Sequence, residues 1–381
     1  MPENRANRLL FLAIVLLVAI TTTSSLLYAG SIPGNDFTQT NLVSDIPGLA
    51  EFTDPTLVNP WGMSSSGSSP IWVSDNGTGK STLYNGAGVK QATVVTVPPP
   101  SGGTPPSSPT GQVFNGTSTN FGGSHFIFAT EDGTISAWTS GGTAALKVDN
   151  SASGAVYKGL ALANNGSNAF LYAANFNSGN IDVFNSSFGQ VSVPGAFTDP
   201  NLPAGYAPFN IQNIGGKLYV TYALQDGSKH DDVSGAGHGF VDVFDTNGNL
   251  LQRLVSQGDL NSPWGLAVAP TGFGDFGGDL LVGNFGDGTI NVYNDSTGAF
   301  VATLSDSNGD PIVDLGLWGL TFGNGGSGGS KANLYFTAGI PGPDSVEDHG
   351  LFGMISNTPE PSSLVLLAVG MIGVLRLRRR S

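Results

Sequence analysis

Two stretches concentrate the residues that could do chemistry. One is residues 225–239, QDGSKHDDVSGAGHG, with Asp226, His230, Asp231, Asp232 and His238. The other is residues 338–350, AGIPGPDSVEDHG, with Asp344, Glu347, Asp348 and His349, so that three of the four histidines fall in two short segments. Carboxylate and amide oxygens suit a hard cation such as calcium, and imidazole admits transition metals, so this composition points to a divalent-cation site. The plainer explanation is that Asp and Gly build turns. No stretch matches a twelve-residue EF-hand loop or a His-Glu-x-x-His helix, and no Gly-x-Ser-x-Gly elbow precedes a helix, so no nucleophilic serine is singled out. With no cysteine in the chain, a thiolate zinc site, a cysteine nucleophile and a disulfide framework are excluded.

These stretches are inserts in a repeating unit. Residues 262–300 show it most clearly: an apolar segment from Trp264 to Ala269, a second from Asp279 to Asn284, and a third from Thr289 to Asn294 after an Asp287-Gly288 turn. Each reads as a β-strand, and Gly supplies the positive φ that the tight turn requires. The first strand recurs as NPWGM, KGLAL, PFNIQ, SPWGL and LWGLT, anchored on Gly62, Gly159, Gly265 and Gly319. The spacing is roughly 50 residues, with two implied starts near Val113 and Ile211, which gives six units. The following hairpin recurs six times as well, from IWVSDNGTGKSTLYN to the segment between Leu334 and Ile355.

Six such sheets are buried most economically as a ring, a six-bladed β-propeller, because radial repetition leaves only short edges. The sixth unit runs out of strands before Pro359, whereas an unpartnered strand around Thr38–Val43 precedes the first. This N-terminal strand is expected to close the last blade. Residues 97–110, VPPPSGGTPPSSPT, read as a mobile connection between blades one and two.

The ring places the two inserts and the other second-to-third-strand turns on one face, around one channel mouth. Glu131, Asn175, Asn210 and Asn284 come from different blades near inner-strand or turn positions, and could supply the carboxylate and amides that hold a channel cation. Trp61, Trp264 and Trp318 are expected to pack between adjacent blades, as Trp is usually well buried.

The composition agrees with an all-β chain. Of 381 residues 56 are Gly and 23 Pro, and only 11% are charged, a mixture that breaks helices but suits short strands and turns. The net charge is −14, and Arg5, Arg8, Arg376, Arg378, Arg379 and Arg380 at the two ends hold a large share of the 14 basic residues, so the body is more acidic still. Nucleic-acid binding, which needs clustered cations against phosphates, is excluded on these grounds.

Both ends carry addresses. Residues 1–29 have a short basic start, an apolar core from Leu9 to Ile20 and a small-residue site at Ala29, the layout of a secretory signal peptide. Residues 358–381 hold Pro359, Glu360 and Pro361, an apolar run from Leu364 to Leu375, and then Arg376, Arg378, Arg379 and Arg380. This tail resembles the PEP-CTERM sorting signal of Gram-negative bacteria. The resemblance implies an exosortase partner, export across the inner membrane and delivery to the cell surface or exopolysaccharide matrix, with the C-terminal helix membrane-inserted before processing. The positive-inside rule independently keeps the Arg cluster cytoplasmic.

The body, residues 31–357, resembles an uncharacterised family of exported six-bladed propellers related in fold to NHL-type and TolB-like rings. The stretches that carry the likeness include NPWG, WVSDNGTG, FIFATEDGTISAW, LNSPWGLAVAP and LLVGNFGDGTINVY. The expected function is a surface-exposed binding or scaffold module meeting exopolysaccharide or envelope components. The alternative is a calcium-dependent propeller hydrolase or lactonase, and the sequence leaves open whether the chain is an enzyme.

Overall fold

The computed structural model describes residues 34–343 and 345–358. The signal segment, Asp344, and the sorting residues Pro359, Glu360, Pro361, Arg376, Arg378, Arg379 and Arg380 lie outside the described residues. Among those described, no helix is long and apolar enough to cross a membrane.

Six sheets follow one another along the chain, antiparallel apart from one short parallel strand at the edge of the last. Their inner strands are Pro60–Ser64, Pro109–Phe114, Tyr157–Asn165, Tyr206–Ile214, Pro263–Val268 and Leu317–Phe322. Each sheet of blades one to five has four strands in sequential order. This is the six-bladed propeller that the repeat spacing predicts.

Blade six is composite. Its own strands, Leu317–Phe322, Leu334–Ala338 and Leu351–Asn357, are completed by Phe37–Ser44, which pairs antiparallel with the third from Phe37 opposite Asn357 to Ser44 opposite Leu351. A short fifth strand, Phe52–Thr53, lies beyond it. The closing strand also packs through both faces. Phe37 stacks on Phe273 and Phe276 of blade five, with ring centroids 4.6 and 6.1 Å away, while Leu42 and Val43 join a cluster with Ile71, Val73 and Tyr84 of blade one. One segment therefore stitches blades five, six and one.

Gln39 on this strand donates to Asp314 Oδ1 at 2.8 Å, and Asp314 is only 5% exposed. Burial pushes its carboxyl up to about 7, and the Gln39 bond offsets only part of that. Below pH 3.8, its ordinary value, the group is protonated in folded and unfolded chains alike. Between there and pH 7 the unfolded chain sheds the proton first, so stability falls as pH rises through this window. Asp314→Asn is expected to raise the melting temperature by several degrees at pH 8 and to leave it unchanged at pH 3.5, as followed by circular dichroism.

The connection between blades one and two, expected to be mobile, is held at several points. Ser107 donates its hydroxyl to Val97 O at 2.7 Å, and Ser101 N donates to Asp149 of blade two at 2.8 Å. One anchor is a side chain of the segment, Ser107, and the other is the Asp149 carboxylate of blade two, which composition alone does not reveal.

Candidate functional site

Every inner strand breaks register near its start, and the break falls at equivalent places: Trp61-Gly62, Thr110-Gly111, Lys158, Phe209, Trp264 and Trp318-Gly319. A β-bulge puts two residues opposite one and re-aims a side chain. Around the ring, the bulges bring Trp61, Phe209, Trp264 and Trp318 into one apolar cluster with Val156 and Phe176. Trp61 stacks on Trp318 with centroids 3.4 Å apart, and Trp264 meets both edge-on at 6.1 and 5.9 Å. The expected packing between adjacent blades holds for Trp264 on Trp318 and Trp318 on Trp61. The contact of Trp61 with Trp264, from blades one and five, adds something different, an aromatic plug across the axis.

Glycine beside the bulge lets the inner strands come this close. A Cβ on Gly62 would lie 2.5 Å from Thr110 O of blade two, and one on Gly111 would lie 2.3 Å from Leu160 N of blade three. Blade four has Asn210 at this place, and its amide donates to Trp264 O of blade five at 2.7 Å.

Lys158 occupies the bulge position of blade three, where three other blades carry Trp. Its side chain is 2% exposed, and the ammonium lies over the rings of Trp61 and Phe176 at 5.2 and 5.9 Å. It is bonded to Glu131 Oε1 and to Asp231 Oδ1 at 3.1 Å. Burial alone would lower its pKa, but the charges of Glu131 and Asp231 outweigh this and hold the ammonium above its ordinary range.

From this cation a polar chain runs around the mouth. Asn76 Nδ2 donates to Glu131 Oε2 at 2.8 Å, Asn59 Nδ2 reaches Asn76 Oδ1 at 3.3 Å and Glu347 Oε1 at 2.8 Å, and Trp318 Nε1 donates to Asn59 Oδ1 at 3.0 Å. Asn59 has a φ of 46°, a left-handed conformation that Asn tolerates better than most residues. The chain links Glu347, Asn59, Asn76, Glu131, Lys158 and Asp231, so it touches blades six, one, two, three and four. Burial and then the nearby Glu131 charge push the Glu347 carboxyl up to about 7. On the other side, His230 Nδ1 lies 2.8 Å from Asp231 Oδ1. That bond is the main reason the imidazole is raised and the Asp231 carboxyl is held well below the usual range.

The predicted site residues thus divide. Glu131, His230 and Asp231 converge, with one ligand atom from each within 4.8 Å of the others, and Glu347 joins them through Asn59 and Asn76. The remaining ones make structural bonds, some within their own loops and some, as for Asn210 and His349, between distant segments. Asn175 bonds Val156 N and Asp182, and Asn284 accepts from Asn261 N and donates to Asp259 O at 2.8 Å. Asp226 accepts from His230 N and the Ser228 hydroxyl within its own loop. Asp232 accepts from Ser234, and burial raises its pKa. His238 donates Nδ1–H to Val233 O at 2.7 Å, His349 pairs with Asp45 at 2.7 Å, and Asp348 accepts from Ser345 N at 2.9 Å. Lys158, Asn59 and Asn76 escaped the sequence reading. The available signal was alignment of the first strands, which sets Lys158-Gly159 beside Trp61-Gly62.

Residues 357–380 match the PEP-CTERM protein-sorting motif. Among solved structures, a glucose dehydrogenase superposes with a TM-score of 0.53 at 11% identity, covering 84% of this chain and 100% of that one. A streptogramin B lyase does so with a TM-score of 0.50 at 14% identity, over 86% and 100%. These likenesses support the propeller fold alone. Closer in sequence are two proteins of Acanthamoeba polyphaga mimivirus, the uncharacterized proteins R648 and L690. Each is 34% identical, over 297 and 296 residues, covering 73% of this chain and 72% and 77% of theirs. The chain belongs to the protein family that includes R648 and L690, and it carries a PEP-CTERM sorting motif behind its six-bladed ring.

Proposed function

We propose that this protein is exported in a Gram-negative bacterium, sorted by an exosortase to the cell surface or exopolysaccharide matrix, and acts there as a binding and scaffold module. The sorting motif supports the address. The choice of binding over metal-dependent catalysis rests on Lys158, whose ammonium lies against Glu131 and Asp231 above the aromatic plug. A catalytic cation would have to compete there with a covalently tethered one. Fractionation of cells expressing the full chain tests the address: the protein is expected in the surface or matrix fraction. Replacing Pro359, Glu360 and Pro361 by Ala is expected to strand it in the inner membrane, and a chain that stays cytoplasmic in both forms overturns the reading.

One observation favours a second reading, a calcium-dependent hydrolase or lactonase: the convergence of Glu131, His230 and Asp231. The set suits calcium poorly, since calcium takes six to eight oxygens and both carboxylates here already serve Lys158. Tight calorimetric binding of calcium or zinc, abolished by Glu131→Gln, would favour this reading and call for a screen of lactones and esters.

A further inference from the structure

The channel continues past the aromatic plug. Its lining residues lie later along the inner strands, away from the turns that carry the acidic tier, and enclose a cavity of about 340 Å³. Blades one, two, three, four and six contribute several residues each, and blade five contributes Trp264. This volume is at the lower end of the roughly 300–1,000 Å³ typical of small-molecule sites.

The chemistry of the lining is distinctive for this chain. Despite a net charge of −14, no charged side chain borders the cavity among the described residues. Ser64, Ser65, Gln212 and Thr321 bring hydroxyls and an amide to the lining, Met63 and Leu320 are among its apolar residues, and Trp264 brings an indole. Gln112 is fixed in place by its bonds to Gly62 O and Trp72 O at 2.8 and 2.7 Å. Neutral donors and acceptors beside an indole match a ligand that is itself neutral, rich in hydroxyls and faced with C–H groups. An ionic ligand would lose its hydration here with no opposite charge to replace it.

We infer that this end of the channel is a binding site for an uncharged saccharide unit, one or two rings in size, taken up at the mouth opposite the acidic tier. The inference deepens the binding-module reading by naming a ligand class, and it is testable without the address. Its ligand is a free sugar or the neutral end of a longer glycan, both recognised by the same groups.

The experiment is calorimetry on the purified full-length chain, with tryptophan fluorescence as a second readout. The probes are a neutral hexose, a neutral disaccharide, a neutral hexasaccharide and glucuronic acid. The neutral sugars are expected to bind, with glucuronic acid at least tenfold weaker. Preference for the hexose or disaccharide identifies a free sugar, and preference for the hexasaccharide identifies a glycan end. Thr321→Trp, which fills the cavity, is expected to weaken binding at least tenfold. If that variant does not fold, Gln212→Ala is expected to weaken binding at least threefold. No binding of any neutral sugar, equal binding of glucuronic acid, or unchanged affinity in the variant that folds overturns the proposal. A protein that binds sugar but stays in the cytoplasm would retain this inference and lose the proposed address.

Discussion

Deletion of residues 36–45 is expected to lower the melting temperature of the propeller by roughly ten degrees or more. The segment contributes the buried side chains of Phe37, Leu42 and Val43, each stabilising by about 1.5–3 kcal/mol when fully buried. It also supplies the strand paired with Leu351–Asn357. Its loss exposes that strand as a free edge, which invites pairing with another molecule. The truncated protein is therefore expected to elute from size-exclusion chromatography as oligomers as well as monomer. Addition of a synthetic peptide spanning residues 34–45 is expected to restore most of the lost stability, because strand addition to an open edge needs no covalent link. An unchanged melting point in the deletion would show that three-stranded blade six closes the ring unaided.

Lys158→Met is expected to destabilise the fold by about 3–5 kcal/mol, the usual cost of removing one partner from a buried ion pair. Methionine keeps most of the volume against Trp61 and Phe176, so the loss reports charge rather than packing. Glu131→Gln alone is expected to be costly as well, because it strands the ammonium. The double variant Lys158→Met with Glu131→Gln is expected to lose clearly less than the sum, since neither charge is then left unpaired. Asp231 is 65% exposed, and its replacement by Asn is expected to change stability little. Denaturant titration of the four variants checks this, and strict additivity would refute a coupled pair.

The ring was readable in the sequence because its repeat is built from backbone requirements. Gly62, Gly159, Gly265 and Gly319 recur because a side chain would strike the neighbouring inner strand, and this steric requirement leaves the same mark in every blade but the fourth, which carries Asn210. Closure was readable too, since the strand around Thr38–Val43 and the incomplete sixth unit each lacked what the other offered. The candidate site was only partly visible. Asp226, His238, Asp232, Asp348 and His349 are of metal-ligand type, yet the first four make their bonds within their own loops and His349 pairs with Asp45 behind the closing strand. Residue type reports what a side chain can do, whereas loop geometry decides where it points. Lys158 was missed for the opposite reason: a single lysine inside a strand carries no motif, and its role emerges only when the bulges of the six blades are superposed on one axis.

The composite blade also has a kinetic consequence. Thr38 and Thr358, whose hydroxyls meet at 2.8 Å, are separated by 320 positions, so the seam is among the most distant pairings in the chain. Such contacts form late, because the intervening loop must first be drawn together. The strand that completes blade six is the first part of the ring to be synthesised, and its partner strand the last. Between those two moments it waits without its native neighbour, and five blades can assemble while the circle stays open. The seam cannot close before the last strand arrives, so a chain interrupted shortly before Leu351 would hold nearly all of its sheets and still lack its seam.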